Sequence, residues 1–528
     1  MNTSKIYLLL GIFVAAANTA SAQDSYDAQT LSQSDLNGTS RFVGMGGALG
    51  ALGGDISVMS TNPAGTGLYR KSDAAFTISG VFAGDGAMGH DGSRMSFDQG
   101  GLLVAFDMDN PSGQGLQYVN FGVNYQKKRN FLSNLHTSIG GLNNTFSQTF
   151  QIADLCSEAF ANDYYGTLTN LSAAVFKGDR RGGILNEAYY DKDNNFLGSV
   201  LFDDNNDDNN PNYLNKSDED KVAFVEYEGV GAQKAIYERA TYGSNSQTDI
   251  NLAFNMSDQF FYGLSVGVYD IDYSRESFYQ ELGVDGHTYD WDNWYKTRGD
   301  GFDVKLGFIC RPIESSPFRI GAYIHTPIWY RMTDSNGATL YFGNDKVGYA
   351  ENEEFDYNYR TPWKFGVSLG HTIGNFFAIG AEYEYQDLST AKFSEIDGYA
   401  SEYFRYANKV TKETLRGQHT LKIGAEIKPV DSFSIRFGYN FVSSPFKKNA
   451  YRTLLYDDPY TETDYTNWGD INRLTFGIGY RYKTGYIDLT YQYQMQKGDF
   501  YAFDDVSLKA TKISNNRSQL MATFGFRF

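Results

Sequence analysis

Past Lys71 the chain alternates, with apolar or aromatic residues at every second position and polar or small ones between them. That is the period of a β-strand with two unlike faces. In Leu421–Ile427, for example, Leu421, Ile423, Ala425 and Ile427 share one side while Lys422 and Glu426 share the other. The pattern predicts 14 strands: Asp73–Phe82, Met95–Met108, Leu116–Lys127, Thr248–Met256, Phe260–Tyr273, Thr297–Cys310, Phe318–Tyr330, Tyr357–His371, Phe376–Tyr385, Gly417–Lys428, Ser432–Phe441, Arg473–Lys483, Tyr486–Gln496 and Gln519–Phe528. The last of these places Leu520, Ala522, Phe524, Phe526 and Phe528 on one face. An open edge strand of that composition invites aggregation, and closing the sheet into a barrel removes the edge.

The connections sort into two kinds. Alternate ones are short and rich in turn residues, such as Ser257-Asp258-Gln259, Pro429-Val430-Asp431 and Thr484-Gly485, and long polar excursions lie between them. Short turns on one rim and long loops on the other are the signature of a transmembrane antiparallel β-barrel, with the short turns in the periplasm. Aromatic residues near strand ends, Trp329, Tyr330, Trp363, Tyr439 and Tyr480, suit the girdles where such a barrel meets the membrane interfaces. The largest excursions are 130–247 and 388–416. In the first, Phe146, Phe150, Ile152, Ala153, Leu155 and Phe160 recur with a helical period, which predicts helix over the barrel mouth.

Composition sharpens this. Forty-one tyrosines, 55 glycines and 16% aromatic residues suit many short strands, and a mean hydropathy of -0.45 is what two-faced strands give. A start with Lys5, an apolar run over Ile6–Ala17 and Ala20-Ser21-Ala22 read as a cleavable secretory signal over residues 1–22, placing the protein in a Gram-negative-type outer membrane. Two cysteines, Cys156 and Cys310, leave pairing and free thiols equally open. A net charge of -18 argues against nucleic acid.

Candidate catalytic and metal chemistry is thin. The acidic run Asp203–Asn210 has Asp208 where a calcium loop needs its turn glycine and Leu214 where it needs a closing Glu, so it reads as a solvated loop. The histidines, His90, His136, His287, His325, His371 and His419, are scattered, with no serine or aspartate at a recognisable spacing. No enzyme activity, metal or cofactor is expected.

Residues 23–70 do not alternate like a membrane strand. They hold Gly44-Met45-Gly46-Gly47-Ala48-Leu49-Gly50, Gly53-Gly54-Asp55 and Asn62-Pro63-Ala64-Gly65, where close-spaced glycines let backbone pack on backbone and Asn-Pro sets a turn. The glycine run lacks the strand-then-helix context of a phosphate loop. Arg41-Phe42-Val43-Gly44-Met45-Gly46-Gly47-Ala48 followed by Asn62-Pro63-Ala64-Gly65 resembles the amino-terminal hatch of the FadL/TodX family of outer-membrane transporters for hydrophobic compounds.

The resemblance implies an all-β fold: a 14-stranded barrel over 71–528 plugged by a hatch over 23–70. It also implies passive uptake of long-chain fatty acids or similar amphiphiles through an apolar pocket and out of the wall once the hatch shifts. Asn62, Pro63, Ala64, Gly65, Gly46 and Gly47 are then the hatch or gating residues, and Gly122 in the third strand is the candidate for a wall kink. No ligand-binding residue is assigned. The expected partners are hydrophobic small molecules, outer-membrane lipid and lipopolysaccharide, and the barrel-assembly machinery through the Phe528 strand, for a monomer. Competing readings are a haem-binding or adhesive surface protein and a general aqueous porin.

Overall fold

The computed structural model describes residues 24–528 apart from 111, 141, 143–146, 163–165, 173–174, 178–179, 183–184, 201–220, 344, 352–353, 453, 455–459 and 506–507. The expected signal segment and the run Asp203–Asn210 lie outside the described residues. Twenty hydrogen-bonded segments form one sheet, and where a segment continues its neighbour past a kink the two make one strand, giving 14. These are β1 (Asp73–Phe82), β2 (Ser93–Asp107), β3 (Leu116–Asn130, continued by Ser133–Ile139), β4 (Ala232–Met256), β5 (Phe260–Gly283) and β6 (Thr288–Cys310). Next come β7 (Arg319–His325 and Trp329–Phe342), β8 (Asp345–Glu351, Phe355–Arg360 and Lys364–Ile373) and β9 (Phe377–Asp387 and Lys392–Ser394). The last are β10 (Gly417–Val430), β11 (Phe433–Val442), β12 (Tyr465–Tyr482), β13 (Gly485–Tyr501) and β14 (Thr511–Ser514 and Arg517–Arg527).

Each strand pairs antiparallel with its neighbours, and β14 closes on β1 from Asp73↔Arg527 to Phe82↔Ser518. The terminal aromatic strand is therefore paired on both sides.

The outward faces show where lipid sits. Between β5 and β6 the outward pairs are Phe260↔Cys310, Tyr262↔Phe308, Leu264↔Leu306, Val266↔Val304 and Val268↔Phe302, and then abruptly Asp270↔Asp300 and Asp272↔Arg298. Nine residues of strand thus carry the apolar band, close to the 9–11 that a tilted strand needs to cross a bilayer. Trp329, Trp363 and Tyr480 point outward as girdle residues should. Tyr330 does not: it is buried in the lumen, because adjacent strand residues face opposite sides and Trp329 takes the outward position.

Strands β4, β5 and β6 run 25, 24 and 23 residues, roughly 80 Å at about 3.4 Å per residue, and stand well above the membrane. The expected strand at Thr248–Met256 is thus the lower end of β4, and the excursion expected over 130–247 is shorter. Outside lipid both faces of a strand are polar or aromatic, so apolar alternation stops marking it there. The predicted helix is present as a 14-residue helix, Gln148–Ala161, which buries Ile152, Ala153, Leu155 and Cys156 against Trp291, Leu340 and Phe500 above the membrane. Residues 388–416 carry a 3-10 turn, Leu388–Thr390, and a helix, Glu402–Thr414, over the barrel mouth. Cys156 and Cys310 do not form a disulfide with each other; Cys156 is buried in the Gln148–Ala161 helix, its Sγ donating to Thr169 O at 3.5 Å.

Leu264 lies mid-band. Replacing it with Arg is expected to destabilise the inserted barrel by about 2–4 kcal/mol, whereas Asp270→Arg at the edge of the band changes stability by about 0–1 kcal/mol. Denaturant unfolding from lipid vesicles measures both.

Candidate functional site: the hatch and its seats

Residues 24–72 fill the barrel from the outer end downward, and caps fix their local structure. Asp24 caps the helix Ser25–Ser32 with a reciprocal bond from its own N–H to Asp27, and Thr39 caps the short helix Ser40–Gly44. Asp55 caps the 3-10 turn Ile56–Ser60 and accepts from Thr39 Oγ1 at 2.8 Å. Asn62 caps a second turn, Pro63–Leu68, with Pro63 in its first turn where no backbone donor is lost. The Asn-Pro motif is therefore a turn start. At the outer end Tyr26 donates to Asn467 (2.8 Å), and Ser32 Oγ lies 2.6 Å from the Tyr359 hydroxyl.

Backbone meets backbone at the wall. Gly380, Gly424 and Gly438 are cross-strand neighbours on β9, β10 and β11. A Cβ on Gly380 would stand 2.1 Å from Ala48 O, one on Gly424 2.1 Å from Met45 O, and one on Gly438 2.1 Å from Gly46 N. Gly46 (φ +62°) turns the hatch into this seat, while Gly47 packs against Leu36 inside the hatch. A second seat lies on β5 and β6, where the paired Gly263 and Gly307 would set a Cβ 2.2 Å from Ala64 N and 2.1 Å from Asn62 Oδ1. Asn62 Nδ2 donates to Gly50 O (2.8 Å) and to the wall carbonyl of Phe308 (3.3 Å). Gly65 stays within the hatch, its carbonyl accepting from Gly54 N at 3.1 Å. The residues singled out in the sequence thus touch the wall in two separate places.

At Gly122 the expected kink is not seen. β3 keeps its ladder through that residue on both sides, Leu103↔Gly122 and Asn251↔Gly122, and a Cβ there would stand 2.1 Å from Met59 Cε. The glycine makes room for the hatch. The wall is interrupted elsewhere, at one height in three neighbours: Thr326-Pro327-Ile328 in β7, Thr361-Pro362-Trp363 in β8 and Leu388–Ala391 in β9. Two prolines remove ladder donors there. β7 and β8 remain joined by Thr361 N to Ile328 O (3.1 Å), but among the described residues no backbone hydrogen bond joins 361–363 to 388–391.

The lumen is ionic. Arg41, Lys428 and Arg436 all reach Glu426 (3.2, 3.4 and 2.6 Å), Lys422 bridges Glu382 and Glu384 (2.8 and 3.0 Å), and Lys305 bridges Asp249 and Asp303 (2.6 and 2.7 Å). Burial opposes ionisation of Asp35 in the hatch, yet Arg517, Arg473 and Arg129 outweigh it and hold the carboxyl below the usual range.

A cavity of about 120 Å3 between hatch and wall is bordered by Lys128, Lys364, His325, Thr326, Thr361 and Pro362, so it reaches the interrupted stretch. Lys128 is 9% exposed and its Nζ lies 5.2 Å from the Tyr269 ring centre; neither it nor Lys364 has a carboxylate within 4 Å among the described residues. Sequence reasoning missed this pair, since two lysines 236 positions apart carry no local signal. His325, with Nε2 2.6 Å from Thr61 O, is the histidine that touches the hatch.

No family model matches the sequence, and no curated protein matches it. Among solved structures the fold is similar to a FadL homologue of Pseudomonas aeruginosa, at 13% identity and TM-score 0.47 over 94% of this chain and 98% of that one. It is similar too to the P. putida toluene transporter TodX, at 12% identity and TM-score 0.47 over 94% and 99% of the chains. The Ralstonia pickettii toluene transporter TbuX matches at 13% identity and TM-score 0.45 over 93% and 99%. The likeness is one of fold.

Gly424→Ala is expected to lift the hatch from its seat while the barrel still closes. Trypsin cleavage at Arg41 and the single-channel conductance should both rise, with heat-resistant barrel migration on gels unchanged.

Proposed function

We propose that the protein is an outer-membrane channel for hydrophobic compounds, and that its solute is an amphiphile with an anionic head group, long-chain fatty acids being the class that fits. The observation that carries this reading is the pair of buried Lys128 and half-buried Lys364 beside a lumen cavity, with no carboxylate within 4 Å of either among the described residues. A buried ammonium without a counter-ion is unfavourable, and a ligand carboxylate relieves that. The cavity takes a head group only. The alkyl tail has the unbonded stretch between β8 and β9 at its side, bordered outside by Trp363, and there an apolar chain gains by leaving water.

The hatch is the gate in this reading. Asn62, Pro63 and Ala64 at one seat and Gly46 at the other are among its contacts with the wall, and Gly47 and Gly65 keep its turns compact. The closed hatch speaks against a general porin, because the cavities bordered by its outer part, Asp24–Asn37, measure only about 120 and 110 Å3. The resemblance of Arg41–Ala48 and Asn62–Gly65 to the hatch of hydrophobic-compound transporters supports the same reading.

Lys128→Gln/Lys364→Gln is expected to slow uptake of a fluorescent fatty acid into proteoliposomes by about tenfold, the loss of one charge-assisted contact, and to leave uptake of a neutral hydrocarbon unchanged. Equal effects on both probes would refute the head-group site.

A further inference from the structure

On the periplasmic side of the hatch lies a third cavity that the uptake reading does not use. It measures about 660 Å3 and opens at the periplasmic rim, between hatch residues Gly53–Asp55 and the turns around Gly374, Asp431 and Arg481. Six cationic side chains border it against four carboxylates, in a chain whose net charge is -18. Pairing among them is uneven: three of the cations converge on Glu426, while Asp431 at the rim has no cation within 4 Å among the described residues. Two arginines are left over. Arg319 donates through Nη1 to Leu52 O (3.1 Å), its Nε is buried with no acceptor, and it has no carboxylate within 4 Å among the described residues. Arg481 across the cavity forms no ion pair within 4 Å among those residues either.

We infer that this vestibule is an anion-binding site, with Arg319 and Arg481 as its ligand-facing cations, for a carboxylate or phosphate group. A guanidinium presents two parallel donors that match either oxyanion. The vestibule exceeds the cavity beside Lys128 more than fivefold in volume, so it holds a head group together with part of a chain. Its place below the hatch makes it a station on an axial route to the periplasm, separate from the stretch between β8 and β9. The route rests on the proposed uptake of amphiphiles; the anion site does not, since a free periplasmic anion carries the same chemistry.

The test is calorimetric titration of the full chain in zwitterionic nanodiscs with dodecanoate, dodecanol and inorganic phosphate. Dodecanoate should show two classes of site. Arg319→Gln/Arg481→Gln should weaken one about tenfold, Lys128→Gln/Lys364→Gln the other, and dodecanol should bind neither. Arg319→Lys/Arg481→Lys should restore part of the affinity, which a purely structural role would not. Phosphate competing at the vestibule assigns the site to free anions, and phosphate failing to compete assigns it to the amphiphile head group. A dodecanoate isotherm unchanged by the double arginine variant overturns the vestibule site, and one unchanged by the lysine variant overturns the head-group reading, so the two failures are distinct.

Discussion

The contact on which the molecule depends is backbone against backbone, where the hatch meets the glycine seats of the wall. A barrel of 14 strands is wider than its own side chains can fill, so its lumen is either water or plug. Here it is plug, and the plug fits because Gly380, Gly424 and Gly438 on one side and Gly263 and Gly307 on the other carry no Cβ. In the proposed gating the same contact is what releases, since a seat of glycine and carbonyl groups binds by shape and a few hydrogen bonds, with apolar contact in small clusters such as Ala64 and Leu68 against Phe261 and Ile309.

Ionic contacts orient the plug within that seat. Arg41 reaches the wall at Glu426, and Asp35 faces Arg473 and Arg517 of β12 and β14. Buried pairs of this kind add little net stability but fix one arrangement, since any shift leaves a charge unpaired. Against that background the cations without carboxylate partners among the described residues stand out, Lys128 and Lys364 between hatch and wall and Arg319 and Arg481 below the hatch. The lumen is thus electropositive at two points in an acidic protein.

Much of the barrel was legible in the sequence because lipid imposes an alternation that nothing else does. Leu421, Ile423 and Ile427 face out and Lys422 and Glu426 face in, as read, and the helical period around Ile152 became a helix. The reading ended where lipid ends: β4 continues 16 residues above Thr248 without apolar alternation, Ile236, Glu238 and Ala240 following one another on one face and Tyr237, Arg239 and Thr241 on the other. Within the hatch the glycine runs and Asn62-Pro63 were visible, but not their seats, because Gly424 or Gly307 in a strand looks like any strand glycine until its neighbour is known. Gly122 shows the converse, a glycine that suggested a break and instead accommodates Met59. The interrupted stretch needed Pro327, Pro362 and the 388–391 turn placed at one height, which only the register supplies.

The central claim, that solute passes only when the hatch leaves its seat, is tested by locking it. Ser40 Oγ accepts from Thr523 Oγ1 of β14 at 2.9 Å, close enough for a disulfide in Ser40→Cys/Thr523→Cys once Cys156 and Cys310 are changed to serine. Fatty-acid uptake into proteoliposomes should stop in the oxidised protein and return on reduction. Uptake at the same rate in both states would contradict the account.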